Sequence, residues 1–204
     1  VTSQPATSGI VLASASPRRL EMLQRFGIPL QVIASAIAEE QLPQEEAEAF
    51  VLRISREKAE EVARRRPEAG RWYIGCDTAV QCDTQLFGKP RDAAEASAML
   101  QQLSGRWHRV LSAYALFDRL TGQCRQRCVI TRVALRPLTA AEIAGYIASG
   151  EPTDKAGAYA IQGLGAFMVR AIEGSYTSVV GLPLCELLDD LQQLGVWQLF
   201  APAP

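Results

Sequence analysis

Short apolar runs alternate with amphipathic stretches along this 204-residue chain. That alternation constrains the fold more than any other feature, because strands interleaved with helices assemble into an α/β sheet. Ile10 to Ser14 reads as a first strand. Ser16 and Pro17 then open a helix, with serine as N-cap and proline at the first helical position. Leu20, Leu23 and Phe26 share one face of it, and Gly27 ends it. Leu30 to Ala34 is a second strand, and an acidic loop with Glu39 and Glu40 follows. A long helix is expected from Pro43 to Pro67. Glu45 and Glu46 lie in its first turn and Arg64, Arg65 and Arg66 in its last, which suits the helix dipole at both ends.

Trp72 to Cys76 reads as a buried strand with Asp77 at its exit. Val80 to Phe87 forms a hairpin around Asp83-Thr84, and Gly88-Lys89-Pro90 a tight loop. Asp92 and Glu95 start a helix that runs to Ser104, and Gly105 closes it. Long strands at 107–117 and 124–135 follow, then a helix capped by Thr139 and Glu142 and ending at Gly150. Glu151 to Gly165 is dense in glycine and polar residues. Ala166 to Ile172 is strand-like, and Pro183 leads a last helix. The fold class is therefore α/β: an elongated mixed sheet flanked by helices, in two lobes with a central cleft, cut near residues 100–105. Residues 10–196 form a single domain of two lobes, between tails at 1–9 and 197–204.

Composition narrows the function classes. The 21 basic and 22 acidic residues nearly cancel, whereas a nucleic-acid binder carries a basic excess. A lone histidine, His108, excludes a His-rich metal site and leaves any Ser-His-Asp triad dependent on it. Apolar residues near it, with no evident nucleophile, favour a structural role. The five cysteines form no C-x-x-C pair, so they read as structural thiols in a reducing, cytoplasmic setting. No apolar run approaches the ~20 residues of a membrane helix, and residues 1–9 lack the features of a signal peptide. No membrane partner is expected.

Five segments could carry chemistry. Ser14-Ala15-Ser16-Pro17-Arg18-Arg19 fits an anion held at a helix start, or simply a well-capped helix with solvated arginines. Asp77 in Gly75-Cys76-Asp77-Thr78 could bind Mg²⁺ or accept a proton from water, or make an Asx-turn. Glu39 is by itself an ordinary loop acid, and Lys58 an ordinary residue of a solvated helix face. Lys89 is a cation fixed between glycine and proline, or a plain turn lysine. In Asp154-Lys155-Ala156-Gly157-Ala158-Tyr159-Ala160-Ile161-Gln162-Gly163, small residues permit close approach and Gln162 can both donate and accept at a base edge. The same segment also suits a tight structural loop.

Taken in order, these segments resemble the Maf family of nucleoside triphosphate pyrophosphatases, in particular its dTTP/UTP branch. Arg56-Glu57-Lys58-Ala59, Leu103-Ser104-Gly105 with His108, Gly174-Ser175-Tyr176 and Val180-Gly181-Leu182-Pro183-Leu184 complete the set, which spans about residues 10 to 190. The resemblance implies a Maf/ITPase-like fold and hydrolysis of a nucleoside triphosphate to monophosphate and pyrophosphate with Mg²⁺ or Mn²⁺. It makes Asp77 the proton acceptor and places Glu39 in the polar cleft; because hard cations prefer oxygen ligands, Glu39 and Asp77 are the expected metal ligands. It ties Arg18, Thr78 and Gln162 to substrate choice and places Ser14, Arg19, Lys58 and Lys89 in the polar cleft. A homodimer is implied as well. The branch preferring 7-methyl-GTP typically has another residue at Arg18, and Ala-Gly-Ser-Phe and Glu-Gly where this chain has Ala-Gly-Ala-Tyr and Gln-Gly. Two positions depart from the pattern: Ser112 stands where threonine is frequent, and Cys76 where alanine or serine is usual. A nucleotide-binding regulator of cell division with little turnover is the alternative function.

Overall fold

The computed structural model describes residues 9–200. The expected tails at 1–9 and 197–204 fall largely outside them. Seven strands form one mixed sheet in the order β2-β1-β3-β5-β6-β7, with β4 paired to β3. The strands are β1 (Ile10–Leu12), β2 (Leu30–Val32), β3 (Trp72–Cys82), β4 (Gln85–Phe87), β5 (Trp107–Asp118), β6 (Cys124–Leu135) and β7 (Val169–Glu173). The helices are α1 (Pro17–Gln24), α2 (Ala47–Arg65), α3 (Ala93–Leu103), α4 (Ala140–Ala148), α5 (Tyr176–Val180) and α6 (Leu184–Gln193). The architecture is the mixed α/β sheet with flanking helices that the sequence implied.

Two compact units share the chain, and the expected cut near 100–105 is corrected. Among the described residues the first holds 9–77, 113–128 and 181–200, the second 78–112 and 129–180. The divisions at 77/78, 112/113 and 128/129 fall inside β3, β5 and β6, so three strands run through both units. In the first unit, β1 lies between β2 and β3 and is parallel to both. Its Ile10, Val11 and Leu12 are all buried, as an interior parallel strand requires. Val11, Ala13, Ala59, Val62, Ala63, Tyr73 and Ala115 pack together there. In the second unit the core gathers around Phe87, Leu100, Leu103, Val133 and Met168.

Local chemistry explains most element ends. Thr139 and Glu142 form a complete reciprocal capping box on α4, and the Asp92 side chain accepts from the Glu95 N–H on α3. Helix α2 starts at Ala47 instead of Pro43, because Gln44 adopts a left-handed conformation (φ 61°) and interrupts the helix. Glu45 turns instead to Arg53, whose Nε lies 2.6 Å from Oε1. Ser16 has the N-cap backbone geometry of α1 but its side chain makes no capping bond. Strand β3 does not stop at Cys76. The antiparallel partner β4 supports Val80 to Cys82, with Asp83 at φ 52° in the connecting turn, so Asp77 lies within the strand rather than at its exit. The expected strand from Ala166 begins only at Val169, and residues 163–168 form a 3₁₀ turn.

Candidate active site

The first unit brings three expected residues onto one ammonium group. Strand β1 leaves its pairing with β3 at Leu12 opposite Ile74, and the chain turns away into α1. Asp77 therefore lies beyond the carboxyl end of β1, the position where open α/β sheets present polar groups. Lys58 reaches it from α2. Its Nζ stands 2.8 Å from Asp77 Oδ1, 2.7 Å from Glu39 Oε1 and 3.3 Å from the Cys76 carbonyl oxygen. The side chains of Lys58 and Asp77 are buried, at 8% and 6% exposure, while Glu39 is 40% exposed. Three acceptors match the three donors of an ammonium group. Lys58 is thus not on a solvated helix face, as its neighbours in sequence suggested; it is the hub of the carboxylate pair.

Glycine makes that reach possible. A Cβ at Gly75 would fall 1.9 Å from the Ser55 carbonyl oxygen and 2.8 Å from the Ala59 nitrogen. Strand β3 therefore runs directly against α2, one turn from Lys58.

A second set of bonds fastens the loop before α1. Arg19 donates from Nε to the Gly181 carbonyl (2.8 Å), and from Nη1 to Ser14 Oγ (3.1 Å) and the Cys76 carbonyl (3.0 Å). Ser14 Oγ also accepts from the Ser16 N–H at 3.2 Å. Arg19 thus ties the small-residue loop to the residue before Asp77. Arg18, half-buried, occupies the first turn of the same helix.

The donors suit a hard divalent cation. Glu39 and Asp77 already direct carboxylate oxygens at one positive centre, and Mg²⁺ commonly takes one or two carboxylates together with substrate phosphates. Among the described residues no group of three or more His, Cys, Asp or Glu side chains is placed to hold a metal ion by itself.

Comparison with known proteins identifies the family. The family model described as Maf-like protein matches residues 9–194. The chain belongs to the Maf family. A protein of Syntrophotalea carbinolica named dTTP/UTP pyrophosphatase is 55% identical over 198 residues, covering 97% of this chain and 90% of its own length. Proteins of the same name from Geobacter metallireducens and Geobacter sulfurreducens are 51% and 50% identical, covering 94% and 91% of this chain and 98% and 96% of their own.

Three further Maf motif residues lie in the second unit. Thr78 Oγ1 is 2.8 Å from Ser112 Oγ, and Ser112 donates to the Ser178 carbonyl at 2.6 Å. The single serine proton is spent on Ser178, so Thr78 is the donor to Ser112. Lys89 is exposed in its Gly-Lys-Pro loop. Gln162 is half-buried, in extended backbone (φ −103°, ψ 166°). Sequence reasoning missed the roles of Gly75, Ser178 and the Cys76 and Gly181 carbonyls. Only Gly75 carried a signal, a glycine inside an apolar strand.

His108 and Cys76 take structural places. His108 Nε2 lies 2.7 Å from Tyr159 Oη, and the two rings meet edge to face. Burial lowers the imidazole to about 4, so it is neutral at physiological pH. Burial likewise raises the Cys76 thiol, against the opposing charges of Arg19 and Lys58. All five cysteines are free thiols. No helix among the described residues is long and apolar enough to cross a membrane.

Proposed function

We propose that this chain hydrolyses dTTP and UTP to the monophosphate and pyrophosphate. The observation that carries this is the buried Lys58 ammonium joining Glu39 and Asp77, in a member of a family whose relatives of about 50% identity are named for that activity. Water attacks the α-phosphorus, and the bond from that phosphorus to the oxygen bridging the β-phosphorus breaks. Asp77 takes the proton of the attacking water. Lys58 holds the Asp77 carboxylate in one orientation by a 2.8 Å bond, so the base needs no reorganisation during the step. Mg²⁺ or Mn²⁺, held by Glu39, Asp77 and phosphate oxygens, would make the water more acidic and offset developing charge.

The positive end of the α1 dipole suits phosphate oxygens, and Ser14 and Arg19 keep the loop before it in place. Arg18 and Lys89 would offset charge on the leaving pyrophosphate. Gln162 reads the base edge, and Thr78 takes part in substrate choice. Residues 10–196 act as one catalytic domain of two lobes, in a cytoplasmic homodimer; the free thiols support the reducing compartment.

A nucleotide panel with Mg²⁺ or Mn²⁺ tests this. Pyrophosphate released from dTTP and UTP in preference to purine triphosphates is the expected result. Free phosphate as the sole product would exclude α-phosphorus attack. Tight binding without release would instead identify a nucleotide-sensing regulator.

A further inference from the structure

We propose that Glu151, working through Tyr146, is a positioning residue that holds the turn at residues 160–165 and so sets the placement of Gln162. This rests on the assignment of Gln162 to the substrate's base.

Glu151 follows α4 in the first of three short 3₁₀ turns. Its Oε1 accepts from the Tyr146 hydroxyl at 2.9 Å and from the Gly165 N–H at 3.0 Å, and its Oε2 accepts from the Leu164 N–H at 2.9 Å. Tyr146, 4% exposed, accepts in turn from the Ala160 N–H at 3.2 Å. One carboxylate and one phenol therefore grip the backbone two residues before Gln162 and two and three residues after it. The Gln162 carboxamide makes no hydrogen bond to another described residue, so the flanking backbone sets its placement.

The turn is shaped around that carboxylate. Gly163 has φ +68°, and a Cβ there would meet Glu151 Oε2 at 2.6 Å. A Cβ at Gly165 would meet the Ala160 carbonyl oxygen at 2.5 Å and the Tyr146 oxygen at 2.7 Å. Only glycine at both positions lets the chain close over Glu151 and Tyr146. The carboxylate is also required as such. Burial alone would raise its pKa, yet the N–H groups of Gly165 and Leu164, the Tyr146 hydroxyl and the Lys155 charge hold it below the ordinary value. Three donors converge on two oxygens, and glutamine would turn an NH₂ group against at least one of them.

The test is steady-state kinetics on dTTP, UTP and GTP for wild type, Glu151→Gln, Tyr146→Phe, Gln162→Ala and the Glu151→Gln/Gln162→Ala double variant, with thermal midpoints. Glu151→Gln should raise KM for the pyrimidine nucleotides about tenfold with kcat nearly unchanged, and lower the preference over GTP by a similar factor. Gln162→Ala should do the same, and the double variant should be no worse than Gln162→Ala alone, because the two act through one contact. If Gln162→Ala leaves the preference intact, the assignment of Gln162 fails and this inference with it. If Gln162→Ala shifts the preference while Glu151→Gln does not, or slows all three nucleotides equally, the inference alone is overturned. Should Glu151→Gln fail to fold, Tyr146→Phe, which removes only the bridging hydroxyl, decides by the same two outcomes.

Discussion

Gly75 lies so close to Ser55 that a Cβ would stand 1.9 Å from the Ser55 carbonyl oxygen. This contact sets the spacing between β3 and α2, and Lys58 of α2 uses that spacing to reach Asp77 of β3. The obstacle is helix backbone, which cannot swing aside as a side-chain tip can. Gly75→Ala should therefore destabilise the protein by about 3 kcal/mol, the upper end for overpacking. Pyrophosphate release should fall in the fraction that remains folded. Urea midpoints measure the first effect. An unchanged midpoint would show that the strand and helix can separate at no cost.

Removing the ammonium should strand two carboxylates. Lys58→Met keeps much of the side-chain volume but leaves Asp77, 6% exposed, without its cation. A loss of about 3 kcal/mol or more follows from unpairing one side of a buried ion pair. Mg²⁺ should then restore thermal stability more in Lys58→Met than in wild type, because Glu39 and Asp77 no longer share an internal cation. Melting curves with and without Mg²⁺ check this. Equal stabilisation of both proteins would argue against the carboxylate pair as the cation site.

The base assignment has a direct check. Asp77→Asn preserves the shape of the side chain while removing its capacity to take a proton. Its kcat for dTTP should fall at least ~10²-fold, the usual range for losing a general base. A native rate with native metal dependence would remove Asp77 from that role.

Sequence signals are decisive where the physics is local. Thr139 with Glu142 announces the start of α4 through chemistry complete within four residues, and Asp83-Thr84 announces its hairpin in the same way. Errors arose where distant chain decides. Helix α2 starts later than its sequence suggests because Glu45 is claimed by Arg53 and Gln44 breaks the helix. Residues 166–168 look like the start of a strand, yet they continue the 3₁₀ turn that opens at Gly163, where Glu151 holds the Leu164 and Gly165 amides. Lys58 looked solvated because nothing near it in sequence shows that Asp77, nineteen residues on, will fold against it. Asp77, Lys89, Gln162 and the loop from Ser14 to Arg19 are candidates on local chemistry alone, whereas Glu39 and Lys58 stand out only through ordered motifs shared with a family.

Asp190 should be a principal stability determinant of the first unit. Its side chain is fully buried and accepts from the Tyr114 hydroxyl at 2.6 Å, from Arg125 Nη1 at 3.0 Å and from Arg127. Asp190→Ala leaves two guanidinium groups and a buried phenol without their shared acceptor. A loss of about 2–3 kcal/mol is expected, because the two guanidinium groups stay partly solvated, against about 1 kcal/mol for Tyr114→Phe, which removes one donor. Denaturant titration of both variants checks the order; equal losses would show that the phenol carries the interaction.

His108 should make stability depend on pH in a window set by its own ring. The buried imidazole titrates near 4, whereas in the unfolded chain it returns to about 6.5. Between these values the unfolded chain binds a proton that the folded protein refuses. Protonation then favours unfolding, and stability falls as pH drops through the window. By about pH 5 the loss should reach about 2 kcal/mol relative to neutral pH. His108→Asn removes the titration while leaving an amide to face Tyr159. It should be less stable than wild type at neutral pH, but lose about 2 kcal/mol less between about pH 7.5 and pH 5. Carboxylates titrate in both proteins and cancel in the difference. Parallel stability curves for the two proteins across that range would mean that the ring is not held neutral by burial.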